Sequence, residues 1–175
     1  PRNGPPARQS RLLTTDVPAS VRSACRSAAR EISTPVFCPP LVPRGFTRVQ
    51  VAFSSESLYD LNFESKSVAG FDPEQPRNRR RHLGHWLVQG GRPADLLNVL
   101  RTNSPFGIPP PTASLTADGV EVKVYEISGY QNLHQGHVVA VWRFGDEMFD
   151  VSMHGFQHRR LVLEMARALI NETVR

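Results

Sequence analysis

Apolar and polar residues alternate with a period of two along much of this chain, and a helical spacing replaces that alternation in three places. FTRVQVAF sets Val49 and Val51 against Arg48 and Gln50 and predicts a strand. SLYDLNFES follows, with Leu58, Asp60 and Asn62 on one side and Tyr59, Leu61 and Phe63 on the other. GHWLVQGG predicts a short strand closed by Gly90 and Gly91. SLTADGVEVKVYEI carries Asp118-Gly119 between two alternating runs, the signature of a type I′ hairpin. HVVAVWRFGDEMFDVSMH predicts a second hairpin with Gly145-Asp146 in a II′ turn.

The helical stretches lie between and around these strands. VPASVRSACRSAAREI predicts a helix from about Val17 to Ile32, with Asp16 as N-cap and Pro18 in the first turn. A second helix begins at Pro93, and the PFGIPPP stretch ends it in a loop. A third, amphipathic helix ends the chain, with Val162, Met165, Ala166 and Leu169 on the stripe that faces a sheet. The order predicts an α+β fold: an antiparallel or mixed twisted sheet with helices packed on one face. Residues 1 to 15, PRNGPPARQSRLLTT, have the composition of a disordered basic linker, which leaves residues 16 to 175 as a single α+β domain.

The II′ turn fixes which residues of the last hairpin oppose one another. Trp142 meets Phe149, Ala140 meets Val151 and Val138 meets Met153, all on one apolar face. On the other face Arg143 meets Met148, Val141 meets Asp150, Val139 meets Ser152, and His137 meets His154. Directly opposed residues have Cβ atoms about 5 Å apart, so the two imidazoles touch. Such a pair is read first as structural. The alternatives are a polar ligand contact and a metal or hydrolytic site using His137, His154 and Asp150, with His134 close by in sequence. No HExxH motif is present, and Ser152 lacks the GxSxG elbow, so no catalytic residue is assigned and no cofactor is expected. If a metal binds at all, His137 and His154 are its ligands. His82 and His85 lie on opposite faces of a strand at that spacing, which argues against shared ligation.

The net charge of +5 resides in the first 45 residues, where seven arginines stand against Asp16 and Glu31; the remainder is neutral. A solvated tail is the simplest reading of that basic segment, and a tether near anionic lipid or polymer is the other. A further basic run, RNRRRH, places Arg77, Arg79, Arg80 and Arg81 in one polar loop. It offers a second alternative function, as an acidic-polymer or nucleic-acid binder. No aromatic platform is interleaved with it, so nucleic acid is not the expected partner.

Cys25 and Cys38 are the only cysteines. One falls in the first helix and the other in the Pro-rich TPVFCPP that follows it. Neither CxxC spacing nor a nearby histidine completes a zinc site, and neither thiol has an obvious base. A disulfide is the leading reading, with two inert thiols or a reactive one as alternatives. Closing this loop stabilises a fold by roughly 3 kcal/mol, and the bond persists only in oxidising surroundings. That address decides how the rest is read. The chain begins at Pro1 rather than Met, so a preceding leader, anchor or domain is expected. No apolar run is long enough to span a bilayer.

VPASVRSACRSAAR and VFCPPLVPRG resemble the start of the extracytoplasmic part of uncharacterised actinobacterial membrane-anchored proteins and lipoproteins. GHVVAVWRFGDEMFDVSMHGFQHRRLVLEMARALI resembles their closing hairpin and helix, and is similar to the same element in anti-sigma-factor-associated domains. The acylated leading Cys of lipoproteins is missing, and no catalytic residue carries over. The resemblance implies an envelope setting. Together these features predict a non-enzymatic, extracytoplasmic bacterial domain, secreted or envelope-anchored, that binds or scaffolds an envelope protein or polymer.

Overall fold

A computed structural model describes residues 13–44, 46–65, 85–102, 104, 107–128 and 136–173. It contains a seven-stranded antiparallel sheet and three helices packed against it. The strands in chain order are β3 (Phe46–Ser55), β4 (Leu58–Ser65), β5 (His85–Gly91), β6 (Ala113–Ala117), β7 (Val120–Ile127), β8 (His137–Phe144) and β9 (Glu147–His154). A separate two-stranded ladder pairs β1 (Leu13–Thr14) with β2 (Val42–Pro43). The helices are α1 (Ala19–Glu31), α2 (Pro93–Thr102) and α3 (Arg159–Thr173). Leu13 and Thr14 fall within the stretch expected to be linker, yet Leu13 is buried in the main core and paired with Pro43.

The spatial strand order is β3-β4-β5-β9-β8-β7-β6. Two meanders therefore meet in the middle, where β5 pairs with β9. The chain leaves β5, an interior strand, and must reach β6 at the far edge, so α2 lies on the path that crosses the sheet. The face bearing α1 and α3 is already filled by Val21, Cys25 and Ala28 from one helix and Val162, Met165, Ala166 and Leu169 from the other. Here the expectation of helices on one face needs correction. α2 lies on the opposite side, where Leu96 and Leu100 pack with Leu58, Val139, Val141 and Met148 in a second, smaller apolar cluster.

Local chemistry explains the details. The α1 N-terminus differs from expectation: Pro18 is the N-cap in an extended conformation, its carbonyl accepts from the Val21 N–H at 3.0 Å, and Asp16 makes no side-chain cap. Instead the Asp16 N–H donates to Thr14 Oγ1 at 3.1 Å. Asp118 and Gly119 both have positive φ, 47° and 84°, as a I′ turn requires. Gly145 has φ 60° and Asp146 is not in that region, in keeping with II′. Gly90 does not close its strand; it lies within β5, opposite Tyr59 and Phe149. A Cβ there would come within 2.6 Å of both rings, so glycine lets two large aromatics meet over the sheet.

Candidate functional site

The register sorts every strand residue onto one of two faces. Against α1 and α3 lie Tyr59, Leu61 and Phe63 of β4, Trp86 and Val88 of β5, Val151 and Met153 of β9, and Ala140 and Trp142 of β8. The α2 face is different. Across its middle run Asp60, Gln89 and Asp150, directly opposed on the adjacent strands β4, β5 and β9. The neighbouring row is Asn62, Leu87 and Ser152. Beyond it, at the end of the sheet, His137 opposes His154.

Exposure falls steadily inward from the β3 edge. Gln50, paired with Asn62, is exposed; Asp60 and Asn62 are half-buried; Gln89 is 4% exposed and Asp150 0%. Gln89 Nε2 donates to Asp60 Oδ2 at 3.2 Å. Among the described residues, no donor reaches Asp60 Oδ1, Asn62 Oδ1 or either carboxyl oxygen of Asp150. Burial pushes the Asp60 carboxyl up to about 6, against the opposing effect of the Gln89 hydrogen bond. Burial, and then the charge of Asp60, hold the Asp150 carboxyl well above the usual carboxylate range. Without a donor or solvent, Asp150 is the harder of the two to ionise. On the other face the Tyr59 hydroxyl, which accepts from the Phe37 N–H at 3.2 Å, is also raised, chiefly by burial.

The residues singled out from the sequence are distributed as follows. His137 and His154 do oppose one another, with ring centroids 4.0 Å apart and planes tilted by 42°. Asp150 shares their face but lies four residues from His154 along β9, about 13 Å at the rise of a strand. The three are therefore not gathered into one site, because Ser152 stands between them. Among the described residues, no group of three His, Cys, Asp or Glu converges to hold a metal ion. Cys25 and Cys38 are joined by a disulfide with Cα atoms 5.6 Å apart, which ties α1 to the segment leading into β2. Arg77, Arg79, Arg80, Arg81, His82 and His134 lie outside the described residues.

Asp60, Asn62 and Gln89 escaped sequence reasoning as site residues. Asp60 and Asn62 alternate with apolar residues in β4 and Gln89 sits among apolar residues in β5, and only the pairing of β4 with β5 and of β5 with β9 aligns them with Asp150. The available signal was the polar pair Asp60 and Asn62 on one side of β4 and a single glutamine in the otherwise apolar centre of β5. Neither a protein-family model nor a curated protein sequence matches this chain.

Proposed function

We propose that this chain is a non-enzymatic, extracytoplasmic binding domain of the bacterial cell envelope that meets its partner on the half-open polar side of the α2 face. One observation carries the reading: acceptor oxygens without donors extend from half-buried Asp60 and Asn62 to buried Asp150. A buried acceptor left unpaired costs about 1–3 kcal/mol, so a sheet face that keeps several is arranged for something that supplies donors or positive charge. The Cys25–Cys38 disulfide supports the oxidising address. The likeness of both chain ends to actinobacterial envelope proteins points the same way. Among the described residues no helix is long and apolar enough to cross a membrane.

The test is co-sedimentation of the purified chain with isolated envelope fractions, comparing wild type with Asn62→Arg and with a control substitution at exposed Glu121. The expected result is pelleting of wild type and control, with at least a tenfold loss for Asn62→Arg. Equal pelleting of all three would refute the binding face. Turnover on generic ester, phosphate or peptide substrates that disappears in His154→Ala would instead establish the hydrolytic alternative.

A further inference from the structure

Among the described residues, five buried side-chain oxygens accept no hydrogen bond, and four of them belong to Asp60, Asn62 and Asp150. The fifth, Glu147 Oε2, lies on the other face. Such clustering calls for a common occupant. A proton on Asp150 turns one of the four oxygens into a donor and still leaves the other three without one.

The donor set is chemically uniform. It consists of carboxyl and amide oxygens, the set that suits hard cations rather than zinc or copper; Met148, two residues before Asp150 on the same face, packs into the apolar cluster under α2. Two carboxylates together neutralise a divalent charge. Asp60 and Asp150 flank Gln89 from its two neighbouring strands, roughly 10 Å apart at the backbone. Two aspartates and an ion with oxygen contacts of about 2.4 Å span that distance. Gln89, whose amide now donates to Asp60, offers a further oxygen when it turns. The approach is from the β3 side, past exposed Gln50 and half-buried Asn62. Among the described residues no cation occupies the position: Lys123 lies on the same row but is exposed, two strands away beyond Val141. Asp95 at the start of α2 already accepts from Ser57 Oγ at 2.6 Å.

We propose that Asp60, Asn62 and Asp150 form a binding site for a hard divalent cation of the calcium class, which enters from the half-open side and is completed by water. The inference rests on reading this face as the binding face, and it names what the face first takes up. Calcium sites of extracellular modules bind at about 0.1–1 mM, so this site is expected to titrate in that range.

The experiment is thermal unfolding of the full chain, purified without an affinity tag and stripped with chelator, at pH 7.5 in up to about 10 mM CaCl2. A saturable rise in midpoint is expected, lost in Asn62→Ala and in Asp150→Asn, and weakened at pH 5 where protons compete for the carboxylates. NaCl at matched ionic strength must not reproduce it. A wild-type midpoint indifferent to calcium, or one raised equally by NaCl, would overturn the site. So would a calcium response unchanged in both variants. Co-sedimentation in chelator separates this proposal from the broader one: envelope binding without a calcium response removes the ion and spares the face, whereas a calcium response without envelope binding does the reverse.

Discussion

Against α1 and α3 the sheet presents Tyr59, Phe63, Trp86, Val151 and Met153, while the alternate residues of the same strands give the α2 side Asp60, Gln89, Asp150 and Ser152. Both sides carry fully buried residues, but only the first is apolar throughout its centre. The first face has the pattern of a core, in which close packing sets the stability. The second keeps a short apolar patch beneath α2 and gives the remaining positions to groups whose burial is costly. Moving one residue along β9, from Asp150 to Val151, crosses from one regime to the other.

That contrast can be broken most severely by placing a carboxylate on the wrong side. Val151→Asp puts a charge into the packed core with no donor, and is expected to remove about 4 kcal/mol or more and abolish the cooperative transition in urea. A second, smaller loss is expected where α1 is held to the filled face. Reducing the Cys25–Cys38 bond, or replacing both cysteines with alanine, should lower stability by about 3 kcal/mol, read from the denaturation midpoint at constant slope. Unchanged stability after verified reduction would show that packing alone positions the helix.

The mildest change sharpens the comparison instead. Asp150→Asn keeps the shape but removes the ionisable group, and is expected to stabilise the metal-free protein by about 1–2 kcal/mol at pH 8. The sign follows from the raised carboxyls. With the Asp60 carboxyl raised to about 6 and the Asp150 carboxyl also held well above the usual range, the folded state holds protons that the unfolded chain releases near pH 4. Wild-type stability therefore falls as pH rises from about 4 through 6 and beyond, and the variant's gain should vanish near pH 4. A gain independent of pH would place its origin outside this titration.

Much of this arrangement was legible before any coordinates. Local chemistry writes the β8–β9 hairpin in full: Gly145 sets the turn, the turn sets the register, and all eight opposed pairs from Phe144 and Glu147 to His137 and His154 follow. The stripe of α3 and the pairing of Cys25 with Cys38 are equally local. What escaped reading is non-local. Nothing in GHWLVQGG says that it pairs with β9 rather than with the strand next in sequence, and on that pairing depend the side taken by α2 and the alignment of Asp60, Gln89 and Asp150. Asp16 illustrates a different miss, since its identity suits a helix cap but Pro18 starts the helix two residues later.

The seam between β5 and β9 also governs the order of assembly. Residues 86–91 pair with β4 on one side and find their second partner only in residues 148–153, so the strand at the centre of the sheet is the last one a ribosome makes. Until then the β5 edge of the first meander is without its neighbour. A chain built this way cannot close its sheet until its final third has been made.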